Sequence, residues 1–321
     1  MDKIMVGVDI GGTTVKIGFI HYHGDILEKW EIPTNTSSGG QKIVDDIWNS
    51  AHHKLNELKI NKVSVLGIGI GAPGFIDAET GFVYEAVNIG WKNMDLAKQM
   101  KEKSNLPIFV QNDANIAALG ENWIGAGNGA VNMIAVTLGT GVGGGVIANG
   151  SILNGESGMA GEIGHIKVEP DGVPCNCGGI GCLETICSAT GIKRQGMDAI
   201  ALNPHSKLAR YYEKRGTITA KDVIDFAKDG DEMSIQIMKN TVNVLGMAIA
   251  NMATMINPSK IIIGGGVSKA GEYLLDQLTA AFEKYAIPKL REVCEIKIAQ
   301  LGNDAGIIGG AYLVKQYVKE L

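Results

Sequence analysis

The sequence predicts an α/β protein whose two domains close on a shared ligand, and three observations carry that expectation. Apolar strand-like runs alternate with segments of helical period from one end to the other, the pattern of sheets covered by helices. At 321 residues the chain exceeds what one hydrophobic core usually organises. A glycine-turn hairpin also occurs twice: IMVGVDIGGTTVKIGFI at 4–20 and MIAVTLGTGVGGGVIA at 133–148. A shift of 128 positions lays Asp9 on Thr137, Gly11 on Gly139 and Thr13 on Gly141.

In chain order, the run before the first glycines is strand-like, and so is the run after them, where Val15, Ile17 and Phe19 alternate with Lys16 and Gly18. A dinucleotide fingerprint or P-loop needs a helix after the glycines, so neither applies. Residues 41–58 place Ile43, Val44, Ile47, Ala51, Leu55 and Leu58 on one helical face. A buried strand over 63–74 ends in a Gly-Pro turn, NIGW follows at 88–91, and a helix is expected over roughly 94–103. LPIFVQND at 106–113 reads as a strand with Asn112 and Asp113 at its carboxyl end, where ligands of open α/β sheets gather. A long helix over 234–256 stops at Asn257-Pro258, as proline requires. Then come a strand with a triple-glycine turn, IIIGGGVS at 261–268, and a helix over 305–321.

The formal charge of −5 and the absence of a basic run disfavour a nucleic-acid or anionic membrane surface. The uncharged segment 122–155 is too rich in glycine and asparagine for a membrane helix. An odd count of five cysteines, three of them clustered, suits a reducing, cytoplasmic setting better than a disulfide framework. Cys187 and Cys294 read as ordinary buried residues.

The cluster lies in 161–184, GEIGHIKVEPDGVPCNCGGIGCLE. His165, Cys175, Cys177 and Cys182 offer the three thiolates and one imidazole of a closed tetrahedral zinc site, and the plainer alternative is three free thiols in a turn-rich loop. Glu162 and Glu184 bracket the loop; they are either solvated charges or acceptors for sugar hydroxyls. Zinc on one ring nitrogen of His165 would fix the direction of the other. The glycine turns present bare backbone N–H groups that suit phosphate oxygens, with Lys16 and the hydroxyls of Thr13, Thr14 and Thr140 beside them, and Asp9 suits Mg²⁺. Tight turning is the simpler use of the same glycines. Asp113 reads either as a helix N-cap or as a general base in phosphoryl transfer, where an ordinary carboxylate pKa would serve.

Together these motifs resemble the ROK family of sugar kinases, most closely its bacterial glucokinases. The resemblance runs through DIGGTTVK, GIGAPG, Asn88 with Trp91, QNDAN, LGTGVGGG, the cysteine loop and IIIGGGVS, and covers essentially the whole chain. It implies an actin/hexokinase-like (ribonuclease H-like) pair of α/β domains with a cleft between them. It further implies Asp113 as the base on the sugar 6-hydroxyl, with sugar contacts at Gly71, Asn88, Asn112, Glu162, His165 and Glu184. An ATP site at Gly11, Gly12, Thr13, Gly139, Thr140, Gly141, Gly264 and Gly265, and structural zinc at the four loop residues, complete the set.

The expected activity is ATP-dependent phosphorylation of glucose, with Mg²⁺ and in a homodimer. Fructose, mannose or an N-acetylhexosamine is the alternative substrate, and a sugar-sensing repressor the alternative class. The expected domains are 1–120, completed by a C-terminal helix at 303–321, and 121–302, which carries the zinc loop 165–182.

Overall fold

The computed structural model describes residues 3–318. Its two main sheets repeat one design. In the first, β1 (Ile4–Ile10), β2 (Thr14–His21) and β3 (Ile26–Pro33) form an antiparallel meander, and β4 (Val65–Ala72) and β8 (Ile108–Asn112) extend it in parallel, in the order β3-β2-β1-β4-β8. In the second, β9 (Met133–Leu138), β10 (Val142–Ala148) and β11 (Ser151–Ile152) form the meander, with β12 (Lys260–Gly264) and β13 (Glu295–Ile298) parallel beside it, ordered β11-β10-β9-β12-β13. The sequence repeat is thus a structural duplication. A small antiparallel sheet of β5 (Phe75–Asp77), β6 (Phe82–Ala86) and β7 (Trp91–Asp95) projects from the first half.

The helices follow local signals. Helix Glu232–Ile256 starts at Asp231, whose side chain accepts from Ser234 N–H, and ends at Asn257 in the left-handed conformation. Its apolar residues, Met238, Leu245 and Ile249 among them, fill the core of the second half. Helix Ile43–Glu57 covers the first sheet through Ile43, Val44 and Ile47. The helix expected near 94–103 runs over Leu96–Ser104, because Asp95 caps it from the end of β7. None of the helices among the described residues is long and apolar enough to cross a membrane.

Two helices cross over between the halves. Helix Asp113–Trp123 follows β8 yet packs on β10, where a β-carbon on Gly145 would lie 2.6 Å from that of Ala118. Helix Ala305–Tyr317 follows β13 and packs on the first sheet, and residues 319–321 of the expected terminal helix lie outside the described residues. That seat leaves no room for side chains. A β-carbon on Gly7 would fall 1.8 Å from the Ile307 carbonyl oxygen, and one on Gly69 1.8 Å from that of Gly310. Backbone cannot yield as a side-chain tip can, so both positions require glycine.

Candidate active site

The carboxyl ends of β1, β4, β8 and β9 face a cleft of about 530 Å³. From the first half it is lined by Asp9, Asn88, Asn112 and Asp113, and from the second by Gly139, Gly141, Glu162, His165 and Glu184. The fold therefore brings together nine residues that the sequence singled out from distant segments.

Asn112, not Asp113, caps the helix that opens there: its side chain accepts from the N–H groups of Ala114 and Asn115, a contact worth about 1 kcal/mol. Asp113 is thereby free of capping duty, and its Oδ1 accepts from Ala114 N–H at 2.8 Å. Its pKa is pushed up to about 6, chiefly by burial and further by the charges of Asp9 and Glu162, against the opposing pull of the Ala114 N–H. Phosphoryl transfer would be served by an ordinary carboxylate, and Asp113 is more basic than that. Burial also raises Asp9, and the Lys16 ammonium opposite it in the β1–β2 register partly offsets that rise.

The second hairpin is bound to the cysteine loop by one side chain. Glu184 Oε2 accepts from Val142 N–H at 2.9 Å, and a β-carbon on Gly141 would sit 2.2 Å from that oxygen. Its other oxygen lies 3.7 Å from Cys175 Sγ. His165 turns Nδ1 toward Cys175 Sγ at 3.7 Å and Nε2 toward Glu162 at 3.9 Å. Cys177 and Cys182 Sγ stand 3.6 Å apart, and the four donor atoms of His165, Cys175, Cys177 and Cys182 all lie within 4.8 Å of one another. Donors on a tetrahedral zinc shell are separated by roughly 3.5–3.8 Å, so the set fits that metal. Lys167 Nζ donates to Cys182 Sγ at 2.8 Å, the outer hydrogen bond that a metal-bound thiolate favours.

Gly264 and Gly265 line a second cavity of about 400 Å³, which meets the cleft at Ala117 and Thr137. Thr140 lines a third, of about 450 Å³, adjoining the cleft at Asn88, Gly141 and Glu184. Gly11, Gly12, Thr13 and Thr14 close the first hairpin without lining the cleft, although a β-carbon on Gly12 would stand 3.9 Å from that of Asn88. Lys16 Nζ donates to the Asn303 carbonyl at 3.4 Å. Gly71 is buried in β4, where a β-carbon would strike Ile116 Cδ1 at 1.8 Å, and the wall there is made by Pro73 and Gly74. The sequence reading passed over Gly74, whose carbonyl accepts from Asn112 Nδ2 at 3.3 Å; its signal was the Gly-Pro turn.

Known proteins place this arrangement. The chain is 53% identical to a glucokinase of Halalkalibacterium halodurans, covering 98% of this chain and 96% of that one. It is 37% identical to a glucokinase of Thermotoga maritima, with 98% of each covered. The crystal structure of a ROK family glucokinase from Streptomyces griseus, in complex with glucose and AMPPNP, superposes with a TM-score of 0.79 at 34% identity, over 98% of this chain and 99% of that one. The duplicated sheets with a cleft between them are accordingly the hexokinase-like, actin-like fold. The ROK family model matches residues 5–317, and with a relative sharing half its residues along nearly the full length, the chain belongs to the ROK family.

Proposed function

We propose that the chain transfers the terminal phosphoryl group of ATP to the 6-hydroxyl of glucose, giving glucose 6-phosphate and ADP. One observation carries this reading: a buried acid, Asp113, with its pKa raised to about 6, shares one cleft with Glu162, His165 and Glu184, in a chain 53% identical to a glucokinase.

Asp113 Oδ1 is held by the Ala114 N–H, which leaves Oδ2 to accept the 6-hydroxyl proton. As that proton leaves, the sugar oxygen bonds to the terminal phosphorus and the bridging oxygen departs with ADP. The transition state is loose, so placement matters more than basicity. Asn88, Asn112, Glu162, His165 and Glu184 hold the remaining hydroxyls. The Gly139–Gly141 turn and the Gly264-Gly265 turn offer N–H groups to the phosphates. Magnesium would withdraw charge from those phosphates, with Asp9 as the carboxylate at the cleft wall. Zinc, held by His165, Cys175, Cys177 and Cys182, would supply rigidity, and His165 would present Nε2 to the sugar side. Domain closure excludes water from the transfer. A homodimer is the assembly that the family resemblance implies, to be read by sedimentation.

ADP release with Mg-ATP tests this against glucose, fructose, mannose and N-acetylhexosamines. Strong turnover confined to glucose establishes the reading. Faster turnover with another hexose reassigns the substrate, and none with any hexose refutes the kinase.

A further inference from the structure

The backbone passes between the two sheets twice, once over 113–132 between β8 and β9, a pass that includes helix Asp113–Trp123 and Glu121 itself, and once between β13 and helix Ala305–Tyr317. Glu121 binds both passes. Only 4% exposed, it accepts through Oε2 from Ala126 N–H of the first pass at 3.0 Å and from Gln300 N–H of the second at 3.1 Å. Oε1 accepts from Leu301 N–H at 2.7 Å. The first pass wraps the carboxylate so closely that a β-carbon on Gly125 would fall 2.3 Å from Oε2.

The second pass continues into Gly302 and Asn303, which line the 400 Å³ cavity with Gly264 and Gly265, and Glu121 lines it too. The Asn303 carbonyl takes the Lys16 ammonium from the other half. The neighbouring tie, Lys29 to Asp304 at 2.7 Å, is solvent-exposed on the lysine and screened accordingly.

We infer that Glu121 is the pivot of domain closure, a positioning residue that fixes the spacing of the two crossing segments. Hinge motion is absorbed at the few residues where the chain crosses between the moving bodies. Charge-assisted hydrogen bonds shielded from water resist lengthening. A single carboxylate shared by both crossings therefore lets the halves rotate about it while preventing the passes from sliding apart. The donor cavity, built from both passes and the Gly264-Gly265 turn, then keeps its shape as the cleft shuts. This rests on the kinase reading for its consequence in turnover, and on geometry alone for the pivot.

The test compares Glu121→Gln with Lys29→Ala in the full-length chain. An amide NH2 group replaces one carboxylate oxygen, so either Leu301 N–H alone or Ala126 and Gln300 N–H together lose their acceptor while shape is retained. Glu121→Gln should lower kcat about tenfold and raise KM for ATP about tenfold, with KM for glucose within threefold; Lys29→Ala should stay within twofold on all three. Glu121→Gln with native kcat and both native KM values, or with losses confined to melting temperature, overturns the pivot.

Should that variant fail to fold, hydrogen exchange on the unaltered protein decides. The amides of Ala126, Gln300 and Leu301 should be equally protected free and with glucose plus AMPPNP, while those of Gly74 and Asn88 gain protection. Loosening of any of the three on closure overturns the inference. Absence of turnover in the unaltered chain would instead sink the kinase reading and leave the exchange result to judge the pivot.

Discussion

The two glycine hairpins share a topology and a sequence pattern, yet they are used differently. In the first, Gly11 N–H reaches Thr14 carbonyl, whereas in the second Gly139 N–H reaches Gly141. The second turn is one residue tighter, and the strand registers differ to match: Asp9 pairs with Lys16, but Thr137 pairs with Gly143. The first half sets an acid, Asp9, at the position where the second sets a neutral hydroxyl, Thr137. Only the tight turn with its bare Gly141 admits the Glu184 carboxylate at its backbone. Duplication thus supplied two backbone cradles, and side chains then divided the work. At the strand end itself the first side carries a carboxylate and the second an uncharged hydroxyl, while each half also brings acids to the cleft, Asp113 from the first and Glu162 and Glu184 from the second.

The sharpest way to break this asymmetry is to remove its acid. Asp113→Asn should lower kcat by about 10²–10⁴-fold while leaving sugar binding in place. Because the folded-state pKa of Asp113 is raised, the stability it gives is present below the unfolded value and is lost as pH rises through about 6. At pH 8 the asparagine variant should therefore be more stable by up to about 3 kcal/mol, read by chemical denaturation. In the unaltered chain the same ionisation should make kcat/KM fall below about pH 6.

A second comparison sets the two helix seats against each other. Gly7→Ala drives a methyl into the Ile307 backbone and should cost about 3 kcal/mol. Gly145→Ala meets chiefly the Ala118 side chain and should cost about 1 kcal/mol; equal losses would show that the seats are equivalent. Cys177→Ser probes the other wall. It should release zinc and raise KM for glucose about tenfold, with kcat at saturation less affected; unchanged sugar affinity in metal-free protein would separate the loop from the sugar. The smallest effect is expected from Thr137→Asp, which restores charge symmetry. A further carboxylate facing Asp113 should move the acid limb of the rate profile up by about half a pH unit.

Much of this site was legible because its chemistry is written in local strings. The glycine turns, the cysteine loop and the strand end at Asn112–Asp113 each announce themselves within a few residues. What stayed hidden depends on contacts between distant segments. Glu121 resembles any helix glutamate until Gln300 and Leu301 are folded against it. Gly71 and Gly74 share one motif, and only the packing of Ile116 over Gly71 shows which of them reaches the cleft. The cap at Asn112 displaced the plainer role offered for Asp113, a choice between adjacent residues that spacing alone does not settle.

The exchange of helices has a consequence for synthesis. The face of the first sheet around Met5, Ile20, Gly7 and Gly69 is covered by Ile307, Ile308, Ala311 and Val314, from the far end of the chain. At ribosomal speeds of about 5–20 residues per second, the first sheet waits on the order of 10–40 seconds for that cover after its last strand is made. During that interval an apolar surface stands open on the nascent chain. The first half should therefore depend on chaperones during translation, and cutting the gene between the halves should yield two insoluble fragments that recover activity only when made together.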